Sequence, residues 1–138
     1  MQETPWLRET VGEPAVVVFE TRPRWTPELQ RQFACECVRV RACGTWSDVR
    51  RRLAESGDSL LVLDLAVGAA DALRYLGRQI GATSRRPVVV ITDRRSADLE
   101  WSLRELGTVQ VFTDDLSGEE LADFCRRIWR RKQRQTDD

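Results

Sequence analysis

The stretch Ser59-Leu60-Leu61-Val62-Leu63-Asp64-Leu65 decides the fold. Its aliphatic residues run without polar alternation, so a strand here has no solvent face and must be covered on both sides. Gly57-Asp58 before it and Gly68 after it supply the turn residues that bound such a strand. One acid, Asp64, breaks the run near its carboxyl end, where open α/β sheets place their ligands. A strand-end aspartate solvated at the sheet rim is the plain alternative.

Outward from this strand the pattern repeats. Ala15-Val16-Val17-Val18-Phe19 is a second buried run, introduced by Pro14 and ending at Glu20-Thr21-Arg22-Pro23. Pro87-Val88-Val89-Val90-Ile91-Thr92-Asp93 is another, and Val109-Gln110-Val111-Phe112 a weaker one. Cys37-Val38-Arg39-Val40-Arg41-Ala42 alternates, as a half-exposed strand near a sheet edge would. Helical stripes lie between the strands. Thr26-Pro27-Glu28 reads as a helix start with Thr26 as cap, followed by Leu29 and Phe33. Thr45-Trp46-Ser47-Asp48 has capping-box spacing before Val49 and Leu53. Ala69, Leu73, Leu76 and Ile80 form a third stripe, and Leu99, Leu103 and Leu106 a fourth. Ser117-Gly118-Glu119-Glu120 caps the last helix, whose inward residues are Leu121, Phe124, Cys125 and Ile128. Five strands alternating with five helices predict an α/β doubly wound parallel sheet, flavodoxin-like, in the order 2-1-3-4-5 with helices on both faces. Residues 1–13, with a lone Trp6, read as an N-terminal extension, 14–131 as one domain, and 132–138 as a polar C-terminal tail.

Composition removes whole classes of function. The chain has no histidine, which excludes His-based triads, His general bases and His-ligated metals. Its one lysine, Lys132, stands in the tail, so no Schiff-base or P-loop lysine is expected in a folded site. The formal net charge of +0 gives no bulk attraction for nucleic acid or anionic membrane. No apolar run reaches the ~18 residues of a membrane span, and the N-terminus has no apolar signal segment. Cys35, Cys37, Cys43 and Cys125 contain no CxxC and read as reduced thiols of a cytoplasmic protein, with Cys35 and Cys37 on one strand.

The predicted sheet order brings strand ends together. Strands one and three are neighbours, so Glu20 and Asp64 are expected to face each other, with Thr92 beyond Asp64. Two carboxylates and a hydroxyl are compatible with a weak Mg²⁺ site at Glu20 and Asp64, since that ion takes few protein ligands and keeps waters. No other cofactor is expected.

On these residues the chain resembles the receiver domain of two-component response regulators. The resemblance covers nearly all of residues 14–131. It is carried by Val16 to Pro23, by Leu61-Val62-Leu63-Asp64-Leu65 with Gly68 and Asp71-Ala72-Leu73, by Pro87 to Thr92, and by Glu105-Leu106-Gly107 with Asp114 to Leu121. It implies that Asp64 matches the phosphoacceptor, Glu20 one acid of the Mg²⁺-binding pair, and Thr92 the switch hydroxyl. Four positions depart from the family. Thr21 replaces the second acid, Asp93 a small residue that admits phosphate, Val111 the switch aromatic, and Asp114 the phosphate-contacting lysine. A phosphoryl group adds roughly two negative charges, here beside an acid where the family has a cation. The expected reading is a degenerate, pseudo-receiver module, not an enzyme, acting by protein–protein interaction. The implied partner face is helix four, strand five and helix five, with Trp101, Phe112 and Trp129 as contact residues, for a protein partner or a homodimer. With no output domain attached, signal would pass by binding.

Alternatives remain. A receiver still phosphorylated on Asp64, with Glu20 and Thr92 sufficing, is the first. Nucleic-acid contact through Arg126, Arg127, Arg130, Arg131 and Arg134 is weaker, because cations at a helix end simply complement its dipole. A topoisomerase-primase-like site would need an acid two residues past Asp64, where Ala66 stands.

Overall fold

Leu60, Leu61, Val62 and Leu63 are all fully buried, as a strand covered on both faces requires. The structure, a computed structural model, describes residues 14–55, 58–79, 86–93, 98–106 and 110–137, with side chains through 131. In chain order these form β1 (Pro14–Phe19), α1 (Trp25–Gln32), β2 (Arg39–Cys43), α2 (Trp46–Glu55) and β3 (Asp58–Asp64). A 3-10 turn (Leu65–Val67) then leads to α3 (Ala69–Gln79), β4 (Val88–Thr92), α4 (Glu100–Glu105), β5 (Gln110–Thr113) and α5 (Gly118–Asp137). The sheet order is β2-β1-β3-β4-β5 and every pairing is parallel, the expected 2-1-3-4-5 arrangement.

Side chains alternate across the strands, so one sheet feeds two apolar layers. Val16, Val18, Leu60, Val62, Val89 and Ile91 pack with Trp25, Leu29 and Phe33 from α1 and with Leu121, Cys125, Ile128 and Trp129 from α5. Val17, Phe19, Leu61, Leu63, Val88, Val90 and Val111 pack with Val49, Leu53, Ala72, Leu76 and Leu103 from α2, α3 and α4. Each such aliphatic side chain contributes ~1.5–3 kcal/mol by leaving water.

Caps fix where the helices begin. Thr45 Oγ1 accepts from Asp48 N at 3.1 Å. Ser117 and Glu120 close a full capping box: Glu120 N donates to Ser117 Oγ, and Ser117 N donates to Glu120 Oε1, each at 3.1 Å. Gly118 follows because α1 crosses closely there; a Cβ at 118 would lie 2.9 Å from the Glu28 Cβ. Arg126 ties the same two helices, donating to Glu36 Oε2 at 2.7 Å, to the Gln32 carbonyl at 3.1 Å and to Asp123 Oδ1 at 2.6 Å. Bonding to Glu36 holds the guanidinium above its ordinary pKa, and the same bond lowers Glu36. Arg126 is therefore a fastener between helices, not part of a solvated basic tail.

Two expectations are corrected here. Cys35 and Cys37 are exposed in the turn after α1 and not on a strand, because the chain first packs against the sheet at Val38. The α5 helix continues to Asp137, so the polar C-terminal stretch extends it. Thr26 is the second residue of α1, not its cap; Glu20 takes that role. Trp6, residues 1–13, Ile80 and Ser96 lie outside the described residues.

Candidate functional site

Glu20 follows β1, and the chain turns back within four residues to start α1. That reversal aims the first N–H groups of α1 at the Glu20 carboxylate. Oε1 accepts from Arg24 N at 3.0 Å and Trp25 N at 2.9 Å; Oε2 accepts from Thr26 N at 2.9 Å and Thr26 Oγ1 at 2.7 Å. A helix start leaves such donors without intrahelical partners, and an anion there also opposes the positive end of the dipole. Glu20 is only 8% exposed, and both of its oxygens are engaged. The carboxylate is thus turned to the start of α1, while its charge still reaches Asp64. Among the described residues no group of three or more His, Cys, Asp or Glu side chains is placed to hold a metal.

Asp64 ends β3 half-buried, and its Oδ1 accepts from Ala66 N at 2.9 Å, capping the 3-10 turn. Gly68 then leaves that turn at φ +131°, a backbone conformation a side chain would strain. Burial pushes the Asp64 pKa up, the Ala66 N–H pulls against it, Glu20 and Asp114 add to the rise, and Arg24 opposes it. The sign follows directly. A carboxyl raised in the fold costs stability once ionised, and that cost is relieved as pH falls toward the unfolded value. Asp64→Asn keeps the oxygen that accepts from Ala66 N. It is expected to stabilise the protein at pH 7 by a few tenths of a kcal/mol, discounted for solvent screening. Urea midpoints at pH 7 and below the ordinary aspartate value of 3.8 check this; the advantage should vanish at the lower pH.

A cleft of about 160 Å³ opens beside Asp64, lined by Arg24, Leu65, Ala66, Thr92, Asp93 and Asp114. Thr92 is 1% exposed and donates its hydroxyl hydrogen to the Phe112 carbonyl at 3.3 Å across to β5. Asp93 is exposed at the rim, Thr21 is exposed in the β1–α1 connection, and Val111 is buried in the α2/α3/α4 layer. The cation in the cleft is one the sequence reading missed. Arg24 lies 4.2 Å over the Trp25 ring and donates to the Asp114 backbone carbonyl, so its guanidinium is held from both sides. The signal for it was Arg22-Pro23-Arg24, two to four residues after the strand-end acid Glu20.

The expected interaction residues separate. Trp101 on α4 is 69% exposed. Phe112 is partly buried, edge-on to Phe124 with centroids 5.2 Å apart. Trp129 is 8% exposed and packs on Phe33 at 5.7 Å, so it belongs to the α1/α5 core and is corrected as a surface contact. Cys43 and Cys125 are buried thiols, pushed up to about 11 and about 12 respectively by desolvation, and stay protonated at neutral pH.

The five-stranded parallel arrangement recurs in solved structures. The receiver domain of the TMAO respiratory system response regulator TorR superposes with a TM-score of 0.72 at 20% identity, over 85% of this chain and 97% of that one. The signal receiver domain of a putative LuxO repressor protein from Vibrio parahaemolyticus gives 0.73 at 17%, over 90% and 95%. A response regulator from Thermotoga maritima gives 0.69 at 15%, over 83% and 96%. This chain has the receiver fold. No family model and no curated protein sequence matches it. Within the receiver fold, Asp64 occupies the end of the central strand, while the acid ending β1 is spent on a helix cap and an arginine stands in the cleft. No helix among the described residues is long and apolar enough to cross a membrane.

Proposed function

We propose that this chain is a degenerate receiver-fold signalling module that works by binding protein, without phosphoryl transfer to Asp64. One observation carries the reading: the Glu20 carboxylate accepts four hydrogen bonds from the start of α1. Recruiting it to Mg²⁺ means giving up hydrogen bonds to a charged acceptor, each worth ~1.5–3 kcal/mol, for an ion that dehydrates reluctantly. A cation at Glu20 and Asp64 is then weak at best. Phosphorylation would also set new negative charge beside Asp93 and Asp114, with Arg24 the one cation lining the cleft among the described residues.

Arg24 favours a second reading on its own. Its guanidinium shares the cleft with Asp64 and is the right group to contact phosphate. In that reading Asp64 is phosphorylated with Arg24 in place of the missing lysine.

For binding, the residue that stands out is Trp101, the one large hydrophobic exposed among the described residues. Tryptophan is enriched among the residues that dominate interfaces. In this proposal the face of α4, β5 and α5 meets its partner through Trp101, and a second copy of the chain is the simplest partner. Sedimentation of wild type and Trp101→Glu checks it. The expected outcome is a concentration-dependent dimer whose association weakens at least tenfold in the variant. Monomers at all concentrations in both would remove the homodimer, and equal dimerisation in both would remove Trp101 from the interface.

A further inference from the structure

On the opposite side from α1 and α5, helices α2 and α3 frame a second groove of about 180 Å³. It is lined by Trp46, Arg50, Asp71, Arg74, Tyr75 and Arg78, and shares no residue with the Asp64 cleft. Trp46 and Tyr75 stack at 4.9 Å with their planes 25° apart, and the Phe19 ring stands edge-on to Trp46 at 4.7 Å, fixing the indole from below. The groove thus has a rigid aromatic wall.

Charge around that wall is lopsided. Three guanidiniums face one carboxylate in a chain whose formal net charge is +0. Asp71 pairs with Arg74, at 3.4 Å. Arg50 donates its Nε to the Trp46 carbonyl at 3.4 Å, and its two terminal nitrogens have no partner among the described residues. Arg78 has no partner among the described residues. Guanidiniums present planar donor forks that match phosphate oxygens, and the parts of the Trp46 and Tyr75 rings that line the groove, beyond the face each turns to the other, offer apolar aromatic contact to a nucleobase.

We propose that the α2–α3 groove binds a nucleoside diphosphate or similar free nucleotide, with the phosphates on Arg50, Arg74 and Arg78 and the base against the Trp46–Tyr75 wall. The groove is smaller than the ~300 Å³ at the low end of drug-sized pockets. It therefore grips the phosphates and one face of the base and leaves the rest in water. An inorganic anion alone would forgo the aromatic contact, and a nucleoside alone would forgo the charge.

The test is calorimetric titration of the whole protein without added Mg²⁺, using ADP and GDP, with pyrophosphate, adenosine and guanosine as separate arms. Arg50, Arg74 and Arg78 are exposed, so substituting them leaves the core intact. The expected result is saturable diphosphate binding that weakens with salt, falls about tenfold in Arg78→Ala, in line with one charged hydrogen bond, and is lost in the double variant R50A/R78A. Asp64→Ala should bind as wild type does, which keeps this result independent of the Asp64 cleft. No heat with either diphosphate at millimolar concentration would overturn the proposal. So would binding unchanged in R50A/R78A, or pyrophosphate binding as tightly as ADP and GDP.

Discussion

Glu20→Ala is expected to lower stability by about 3–4 kcal/mol, roughly 15 °C in Tm. The carboxylate is 8% exposed and receives three backbone N–H groups and the Thr26 hydroxyl. Removing it leaves the first turn of α1 with buried donors facing no acceptor, which costs more than the bonds are worth net. Glu20→Gln should recover about half, since one amide oxygen still accepts while the NH₂ group opposes the remaining donors. Thermal and urea unfolding read both variants. A strand-end acid serving only as a cation ligand would give the opposite sign, because its removal relieves repulsion with Asp64. A Glu20→Ala protein at least as stable as wild type would therefore undo the helix-cap assignment.

Trp129→Ala carries the other large effect, an expected loss of about 3–5 kcal/mol from cavity formation in the α1/α5 layer. The indole contacts Phe33 and sits within the cluster of Leu121, Cys125 and Ile128. Its Nε1 is buried without a hydrogen-bond partner among the described residues. Trp129→Phe should consequently cost far less, because losing an unsatisfied N–H offsets part of the smaller ring's packing deficit. If Trp129 were an interface anchor instead, alanine would spare the melting temperature and change association alone. Far-UV circular dichroism melts of the two variants separate these outcomes.

The sheet was legible because unbroken aliphatic runs such as Leu60–Leu63 have one stable use, a strand covered on both faces. Helix positions followed from stripes such as Leu99, Leu103 and Leu106, all of which pack into the same layer. The α5 cap was legible from Ser117 and Glu120. The site was harder to read, because residue type does not say which way a side chain turns. A glutamate after β1 looks the same whether it serves a metal or a helix start; the short reversal to Trp25 decides it, and that is a backbone property. Arg24 escaped notice because the family resemblance pointed to a lysine after β5, whereas the cation reaches the cleft from the β1–α1 connection. Trp129 was legible in principle. Leu121, Cys125 and Trp129 are four residues apart and share one face of α5, so its periodicity already placed it inside.

The central claim, a receiver fold working without phosphoryl transfer, is tested most directly by intact mass after incubation with a small phosphodonor and Mg²⁺, beside an Asp64→Ala control. The predicted result is no phosphoryl-sized gain in folded wild-type protein. A gain present in wild type and absent from Asp64→Ala would contradict the claim, and Arg24 would then be the cation that makes the transfer work.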